Sequence, residues 1–111
     1  MIEQDERPWG RYETFAKNEK ATVKILTILS GEETSLQFHH HREECWFILS
    51  GNPVITVGDM TVEAKEGAEF LIPQGAKHRI NGGKTGTKIL EVMRGGYDEL
   101  DIVRVEDKYC R

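Results

Sequence analysis

Runs of hydrophobic and β-branched residues alternate along the chain with short turns that contain glycine or proline. The longest run, Ala21 to Ser30 with the sequence ATVKILTILS, stops at Gly31. Apolar runs that are rich in β-branched residues and end at turn residues are typical of β-strands. The same pattern predicts further strands at Glu44 to Ser50, Val54 to Val57, Thr61 to Ala64, Glu69 to Ile72, Thr87 to Val92 and Ile102 to Val105, and Ser35 to His39 is a further strand if Gly31 turns the chain.

Helical periodicity is missing from the pattern. No stretch of about a dozen residues repeats apolar positions with the period of a helix, and the acidic segment Asp98 to Asp101 is expected to form one helical turn at most. Short strands at this spacing predict an antiparallel sandwich or barrel. A chain of 111 residues has the size of one domain, so we expect a single domain over residues 1–111.

Composition narrows the class of partner. The formal net charge is −4, and the Lys and Arg residues are dispersed, whereas a nucleic-acid or anionic-membrane surface needs a concentrated basic face. No apolar run approaches the ~20 residues that span a bilayer. Met1 is not followed by a signal-peptide pattern, and the only cysteines are Cys45 and Cys110. We therefore expect a reduced, cytoplasmic protein with neither a nucleic-acid nor a membrane partner.

A run of three histidines lies in the stretch GEETSLQFHHHREECWFILSG, residues 31–51. If the residues before this run form a strand, Gln37 and His39 point to the same face, and Glu44 begins the return strand beside them. His78 lies in a second, turn-rich segment. Imidazole, carboxylate and amide groups that converge from separate strands suit a borderline divalent ion. The alternative is a solvated hairpin whose polar groups bind no metal.

The spacing of these residues resembles both sequence motifs of the cupin superfamily. The first motif runs from Gly31 to Gly51, with Gln37 where a histidine usually stands, and the second runs from Gly67 to Asn81 with its last spacing one residue shorter. The resemblance implies an all-β cupin-type double-stranded β-helix, a jelly-roll barrel, with a metal near the mouth where the two motifs meet. It also makes a homodimer the expected state, with an exposed N-terminal strand able to pair across the interface.

Four segments narrow the resemblance to the cupin domain of type II phosphomannose isomerases: RPWGRYE, SLQFHHHREECW, IPQGAKHRIN and DIVRVEDKYCR, which are distributed from Arg7 to Arg111. In that family the domain often follows a mannose-1-phosphate guanylyltransferase domain. These 111 residues contain no glycine-rich nucleotide-binding loop, so we do not predict guanylyltransferase activity for them. The sequence departs from the family pattern at Cys45, where histidine is usual, and at Cys110, where glycine is usual. By strand alternation Cys45 is expected to face away from Glu44.

The resemblance implies a metal-dependent isomerase that interconverts mannose 6-phosphate and fructose 6-phosphate. Its cofactor would be a divalent ion (Zn, Mn, Fe, Co or Ni) that polarises the substrate oxygens, and its predicted ligands are Gln37, His39, Glu44 and His78. Proton transfer beside the carbonyl requires a base, for which the hairpin loop offers Glu43 and His41. A sugar phosphate also requires cations, and those that flank the two motifs are Arg42, Lys77 and Arg79.

Other interpretations of these residues stay open. Gln37 is a poor transition-metal ligand and can bind the sugar instead, and the arginines can form surface ion pairs of little energetic weight. Trp46 and Phe47 are expected in the barrel core, and Trp9 is expected to pack as an N-terminal anchor, either within the chain or across a dimer interface. Two other functions also fit the sequence. One is a non-catalytic cupin that binds a metal or a sugar and has an accessory or regulatory role, and the other is a different metal cupin enzyme such as a dioxygenase.

Overall fold

Two antiparallel sheets and a separate hairpin form the molecule in the computed structural model, which describes residues 1–95 and 101–106. The strands are β1 Glu3–Arg7, β2 Gly10–Thr14, β3 Ala21–Ile28, β4 Leu36–His39, β5 Arg42–Ser50, β6 Val54–Val57, β7 Met60–Glu63, β8 Glu69–Ile72, β9 His78–Asn81, β10 Thr87–Gly95 and β11 Ile102–Glu106. The first sheet has the order β3-β10-β5-β8 and the second β11-β4-β9-β6-β7, while β1 and β2 pair as a separate two-stranded sheet. The all-β prediction is therefore confirmed.

The hydrophobic core lies between the two sheets. Alternation along β5 and β10 directs Ile48 and Ile89, which pair across the two strands, to the inner face. Ile55 and Ile80 pair in the same way across β6 and β9. Burial of an apolar side chain of this size contributes about 1.5–3 kcal/mol to the stability of the fold. These two pairs therefore stabilise the packing of one sheet on the other.

The strands predicted from the sequence are present, with shifted ends. β3 ends at Ile28 and β5 begins earlier than predicted, at Arg42. Strand β9 was predicted as part of a turn, because its four residues contain a single apolar side chain; its pairing with β6 and β4 makes it a strand. Of the predicted helical turn, all but Asp101 lies outside the described residues. The part of the chain that the structure describes contains no helix able to cross a membrane.

The aromatic predictions have mixed outcomes. Trp46 is fully buried in the core, as predicted. Phe47, next to it, alternates to the outer face, where Phe15 meets its ring edge-on at 6.0 Å. Trp9 is 72% exposed and stacks on Tyr12 at the tip of the β1–β2 hairpin. Trp9 therefore does not pack as an anchor against the rest of residues 1–95 and 101–106, and its packing across a dimer interface stays a prediction.

Candidate metal centre

Three buried side chains meet at the junction of β4, β5 and β9. His39 ends β4, His78 begins β9, and Glu44 lies on the inner face of β5. Glu44 Oε1 is 3.4 Å from His39 Nε2, and Glu44 Oε2 is 3.5 Å from His78 Nε2. One ligand atom from each of the three residues lies within 4.8 Å of the others. The sequence separates these residues, and the sheet pairing brings them together into a group that can hold a metal ion.

The hydrogen bonds of His78 show why a cation fits this group. Its Nδ1 is 2.9 Å from the carbonyl oxygen of Ala76, and a carbonyl can only accept, so Nδ1 carries the proton and Nε2 presents a lone pair. That lone pair faces Glu44 Oε2, and neither atom has a hydrogen-bond partner among the described residues. Two buried acceptors that face each other are unfavourable unless a proton or a cation lies between them. Two imidazole nitrogens and a carboxylate are a ligand set that Zn, Fe and similar ions accept.

Burial sets the protonation of the three groups. It lowers the pKa of His39 to about 4, with the positive charge of Arg42 acting in the same direction. It also lowers the pKa of His78 and raises the pKa of the Glu44 carboxyl, against the opposing effect of Arg42. Both imidazoles are therefore neutral at pH 7, which is the form that binds metal.

Two further predicted residues lie beside the group. Arg42 is buried, with Nη2 3.0 Å from His39 Nε2 and Nε 3.4 Å from Glu44 Oε1. Gln37 is paired in register with His78, and its Oε1 accepts a hydrogen bond of 2.8 Å from Ser35 Oγ. Arg42 and Gln37 both line a cavity of about 570 Å³ that also reaches Glu44. Both predicted roles of Gln37, metal ligand and sugar contact, stay predictions.

The two predicted bases do not join this group. Glu43 alternates to the outer face of β5 and forms an ion pair with Arg94 at 3.0 Å. His41 is exposed, and its backbone N–H, like that of His40, donates to the Asp101 carboxylate at 3.0 Å. Strand alternation, which directs Glu44 inward, directs Glu43 outward. The geometry gives no support to a catalytic role for either predicted base.

Two of the three predicted phosphate ligands also lie elsewhere. Lys77 is exposed and does not line the cavity. The Arg79 guanidinium donates to the Thr34 carbonyl oxygen at 3.1 Å and forms an ion pair with Glu106 at 3.2 Å, since Arg79 points away from the inner face that His78 occupies. Cys45, on the outer face of β5, lies with its Sγ 3.5 Å from the Met1 amino nitrogen, so it faces away from Glu44 as alternation predicts.

The cavity is lined by five charged residues that the sequence analysis missed: Lys24 on β3, Glu32 and Glu33 between β3 and β4, Glu91 on β10 and Arg104 on β11. Glu91 is only 8% exposed, and its Oε2 accepts a hydrogen bond of 3.2 Å from Trp46 Nε1. Burial, and then the negative charge of Glu44, raise the pKa of the Glu91 carboxyl to about 7. Lys24 and Glu91 are charged residues within apolar strands, and side-chain alternation places both on the inner face. A charged residue at an inward-facing strand position is a signal that could have identified both from the sequence.

Arg104 differs from the other arginines near the cavity. It pairs in register with Gln37, and the cavity reaches it from the same side. Its guanidinium makes no hydrogen bond or ion pair with any of residues 1–95 and 101–106, whereas Arg79 and Arg94 are both ion-paired. A cation that faces a cavity without a protein counter-ion is available to an anionic ligand.

Comparison with known proteins identifies the family of the chain. Residues 2–107 match the sequence model of the family described as "Mannose-6-phosphate isomerase C-terminal". The chain belongs to this family. It is 42% identical over 107 residues to the xanthan biosynthesis protein XanB of Xanthomonas campestris pv. campestris, covering 95% of this chain and 23% of that protein. It is 39% identical over 107 residues to the mannose-1-phosphate guanylyltransferase ManC of Salmonella typhimurium, covering 95% of this chain and 22% of the relative.

The chain therefore spans less than a quarter of the length of these relatives. Among solved structures, the cupin domain of Cnp3 from Schizosaccharomyces pombe superposes with a TM-score of 0.64 at 21% identity, covering 75% of this chain and 61% of that one. At this identity the likeness concerns the fold alone. The predicted cupin-type double-stranded β-helix is thereby confirmed.

Proposed function

We propose that this cupin domain is a metal-dependent sugar-phosphate isomerase that interconverts mannose 6-phosphate and fructose 6-phosphate. The observation that carries the proposal is the His39, Glu44 and His78 group, of which Glu44 lines a cavity of about 570 Å³. Pockets for small ligands commonly have volumes of about 300–1,000 Å³, so a sugar phosphate fits. Membership of a family described as mannose-6-phosphate isomerase supports the choice of substrate.

The residues present divide the work of such a reaction. A divalent ion (Zn, Mn, Fe, Co or Ni) held by His39, Glu44 and His78, with Gln37 as a fourth ligand, would polarise the substrate oxygens when bound. Among the chain's own groups, the buried Arg42 guanidinium can hold negative charge that develops on a substrate oxygen. Arg104 at the cavity wall is placed to bind the phosphate, in place of Lys77 and Arg79, which do not line the cavity.

The decisive experiment is isomerisation by the metal-reconstituted protein. Mannose 6-phosphate in heavy water is followed by proton NMR, with a chelator-treated sample and the His39→Ala variant as controls. Formation of fructose 6-phosphate, or loss of the C2 proton signal, in the metal-loaded wild type alone supports the proposal. A protein that holds its metal and leaves the sugar unchanged contradicts it.

A second candidate function follows from the composition of the ligand set. Two histidines and one carboxylate form the facial triad that non-haem Fe(II) oxygenases use, and His39, Glu44 and His78 are such a set. Iron in the purified protein, together with substrate-dependent oxygen consumption, would favour this alternative. Full isomerase activity with a redox-inert ion such as Zn²⁺ would exclude oxygenase chemistry as the basis of turnover.

A further inference from the structure

One buried acid in the cavity belongs neither to the metal group nor to an ion pair at the rim. Glu91 lies in the middle of β10, directly between Lys24 of β3 and Trp46 of β5 in the sheet register. Glu44 lies two residues from Trp46 on the same face of β5, so Glu91 and Glu44 are diagonal neighbours on adjacent strands. The Cα atoms of such neighbours lie about 7–8 Å apart in a sheet. Both residues line the same cavity, so a sugar bound there would have the Glu44 side of the metal group and the Glu91 side chain on the same cavity wall.

The surroundings of Glu91 hold its carboxylate in one place. Trp46 is only 1% exposed, and its indole N–H donates to Glu91 Oε2. The neighbouring inward positions of β10 carry the apolar residues Ile89 and Met93. An apolar residue at position 91 would be buried without the cost of desolvating a carboxyl group. The acid at this position therefore weakens the core and requires a reason other than packing.

The other acids near the cavity have different surroundings. Glu44 belongs to the metal group, and Glu33 at the rim accepts a hydrogen bond from Asn81 and lies 3.9 Å from the Arg79 guanidinium. Glu43 faces the opposite side of β5. Four described acids line the cavity: Glu32, Glu33, Glu44 and Glu91. Glu32 and Glu33 are only half-buried, so Glu91 is the buried one that lies outside the metal group, and the Trp46 indole N–H holds it.

We propose that Glu91 carries the proton between the two substrate carbons, and that Trp46 is the residue that positions its carboxylate. This inference rests on the proposed isomerase function. The Glu91 carboxylate removes the proton from C2 of the open-chain aldose, the C–H electron pair forms the C1=C2 bond, and the carbonyl π pair moves to O1. The resulting acid then delivers the proton to C1 while the O2 hydroxyl proton moves to O1. The product is the ketose, and Glu91 is again a carboxylate.

Glu91→Gln is the direct test, because the amide keeps the size of the side chain and its carbonyl oxygen still accepts from Trp46. Glu43→Gln is the matched control on the outer face of the same sheet. Four quantities are measured for each variant and the wild type: metal content by mass spectrometry, calorimetric binding of mannitol 1-phosphate, steady-state kcat and KM, and C2 proton exchange in heavy water. Mannitol 1-phosphate resembles the open-chain substrate but has no carbonyl group and cannot react.

Glu91→Gln is expected to bind metal and mannitol 1-phosphate as the wild type does, to keep KM within about threefold, and to lose kcat and C2 exchange by about 100-fold or more, the usual contribution of a general base. Glu43→Gln is expected to match the wild type. The inference is overturned if Glu91→Gln keeps kcat within about tenfold, if it loses metal or mannitol 1-phosphate binding, or if the loss appears in Glu43→Gln instead.

The positioning role of Trp46 is tested separately by Trp46→Phe, which keeps an aromatic ring in the core and removes the N–H donor. We expect kcat to fall by up to about 100-fold, the scale of the loss when a catalytic group is displaced by about 1 Å, with metal content and KM unchanged. An unchanged kcat would refute the positioning role. A wild type that binds metal and mannitol 1-phosphate but shows neither conversion nor exchange would contradict the proposed function itself, whereas activity retained in Glu91→Gln would contradict only the role of Glu91.

Discussion

Replacing Glu91 with glutamine is expected to make the protein more stable at alkaline pH. The carboxyl group is 8% exposed, and burial is the main cause of its raised pKa, with the Glu44 charge as the second. The pKa of Glu91 is 4.5 in the unfolded chain and about 7 in the folded protein. At a pH where Glu91 is ionised in both states, this difference lowers the free energy of unfolding by about 3 kcal/mol. Glutamine cannot ionise and keeps the Trp46 hydrogen bond, so the variant avoids this cost.

The direction of the pH dependence follows from the protons bound in each state. Between pH 4.5 and about 7 the folded protein retains the Glu91 proton that the unfolded chain has lost. Folding then takes up a proton, so the contribution of Glu91 to the free energy of unfolding falls as pH rises through this window. Above the window the destabilisation is constant, and below it the contribution of the group disappears. The advantage of Glu91→Gln should therefore be small near pH 5 and largest at pH 8.

Urea unfolding of both proteins in the presence of a chelator measures this difference, because a bound metal would alter the charge of the neighbouring Glu44. At pH 8 the variant is expected to gain about 3 kcal/mol, or on the order of 10 °C in Tm for a chain of this size. Glu63→Gln, on the exposed strand β7, is the control for the loss of one negative charge. A variant that is less stable than the wild type at pH 8, or that gains equally at pH 5 and pH 8, would refute the reasoning.

Three further predictions concern the metal, the phosphate and the quaternary structure. His39→Ala should lose bound metal, measured by mass spectrometry, yet still unfold cooperatively, because the apolar core does not need the ion; loss of folding would make the metal structural. Arg104→Gln should raise the dissociation constant of mannose 6-phosphate by about fivefold or more, whereas Arg79→Ala should leave it unchanged. Calorimetry measures both constants, and a larger increase in Arg79→Ala than in Arg104→Gln would contradict this assignment. Val23 and Ile25 are 60% and 61% exposed on the outer face of β3, so we expect them to lie in a homodimer interface. Light scattering should then give a mass of twice 12.7 kDa for the wild type. The double variant Val23→Asp, Ile25→Asp should have the mass of a monomer, and a monomeric wild type would contradict the predicted interface.

Much of the sheet architecture could be predicted because strands have a period of two. In β3 the alternating exposure of ATVKILTI follows directly from the pleat, and the same rule separates Glu44 from Glu43 on β5. Strand β9 was missed because HRIN has one apolar residue. Its two buried side chains, His78 and Ile80, show the alternation only after the partner strands are known.

The candidate site was predictable in part for the same reason. Motif spacing and alternation together identified His39, Glu44 and His78, which the structure brings to one point. The predicted bases and the predicted phosphate ligands are all close to these three residues in the sequence. Glu43 and Arg79 are such neighbours, and the pleat directs both away from the inner face. Residues next to a ligand along a strand point away from it, so sequence proximity is a poor guide to the site.

Which residues of each strand share a face follows from the amino-acid sequence alone, because side-chain alternation is a local property of the extended backbone. Which strands are neighbours depends on the fold of the whole chain, since pairing depends on how the chain buries its apolar surface and satisfies its backbone hydrogen bonds. The position of β10 between β3 and β5 places Lys24, Glu91 and Trp46 in one row beside the metal group, although they are far apart in the chain. The chemistry of the cavity therefore depends on this strand order as much as on the histidine motif.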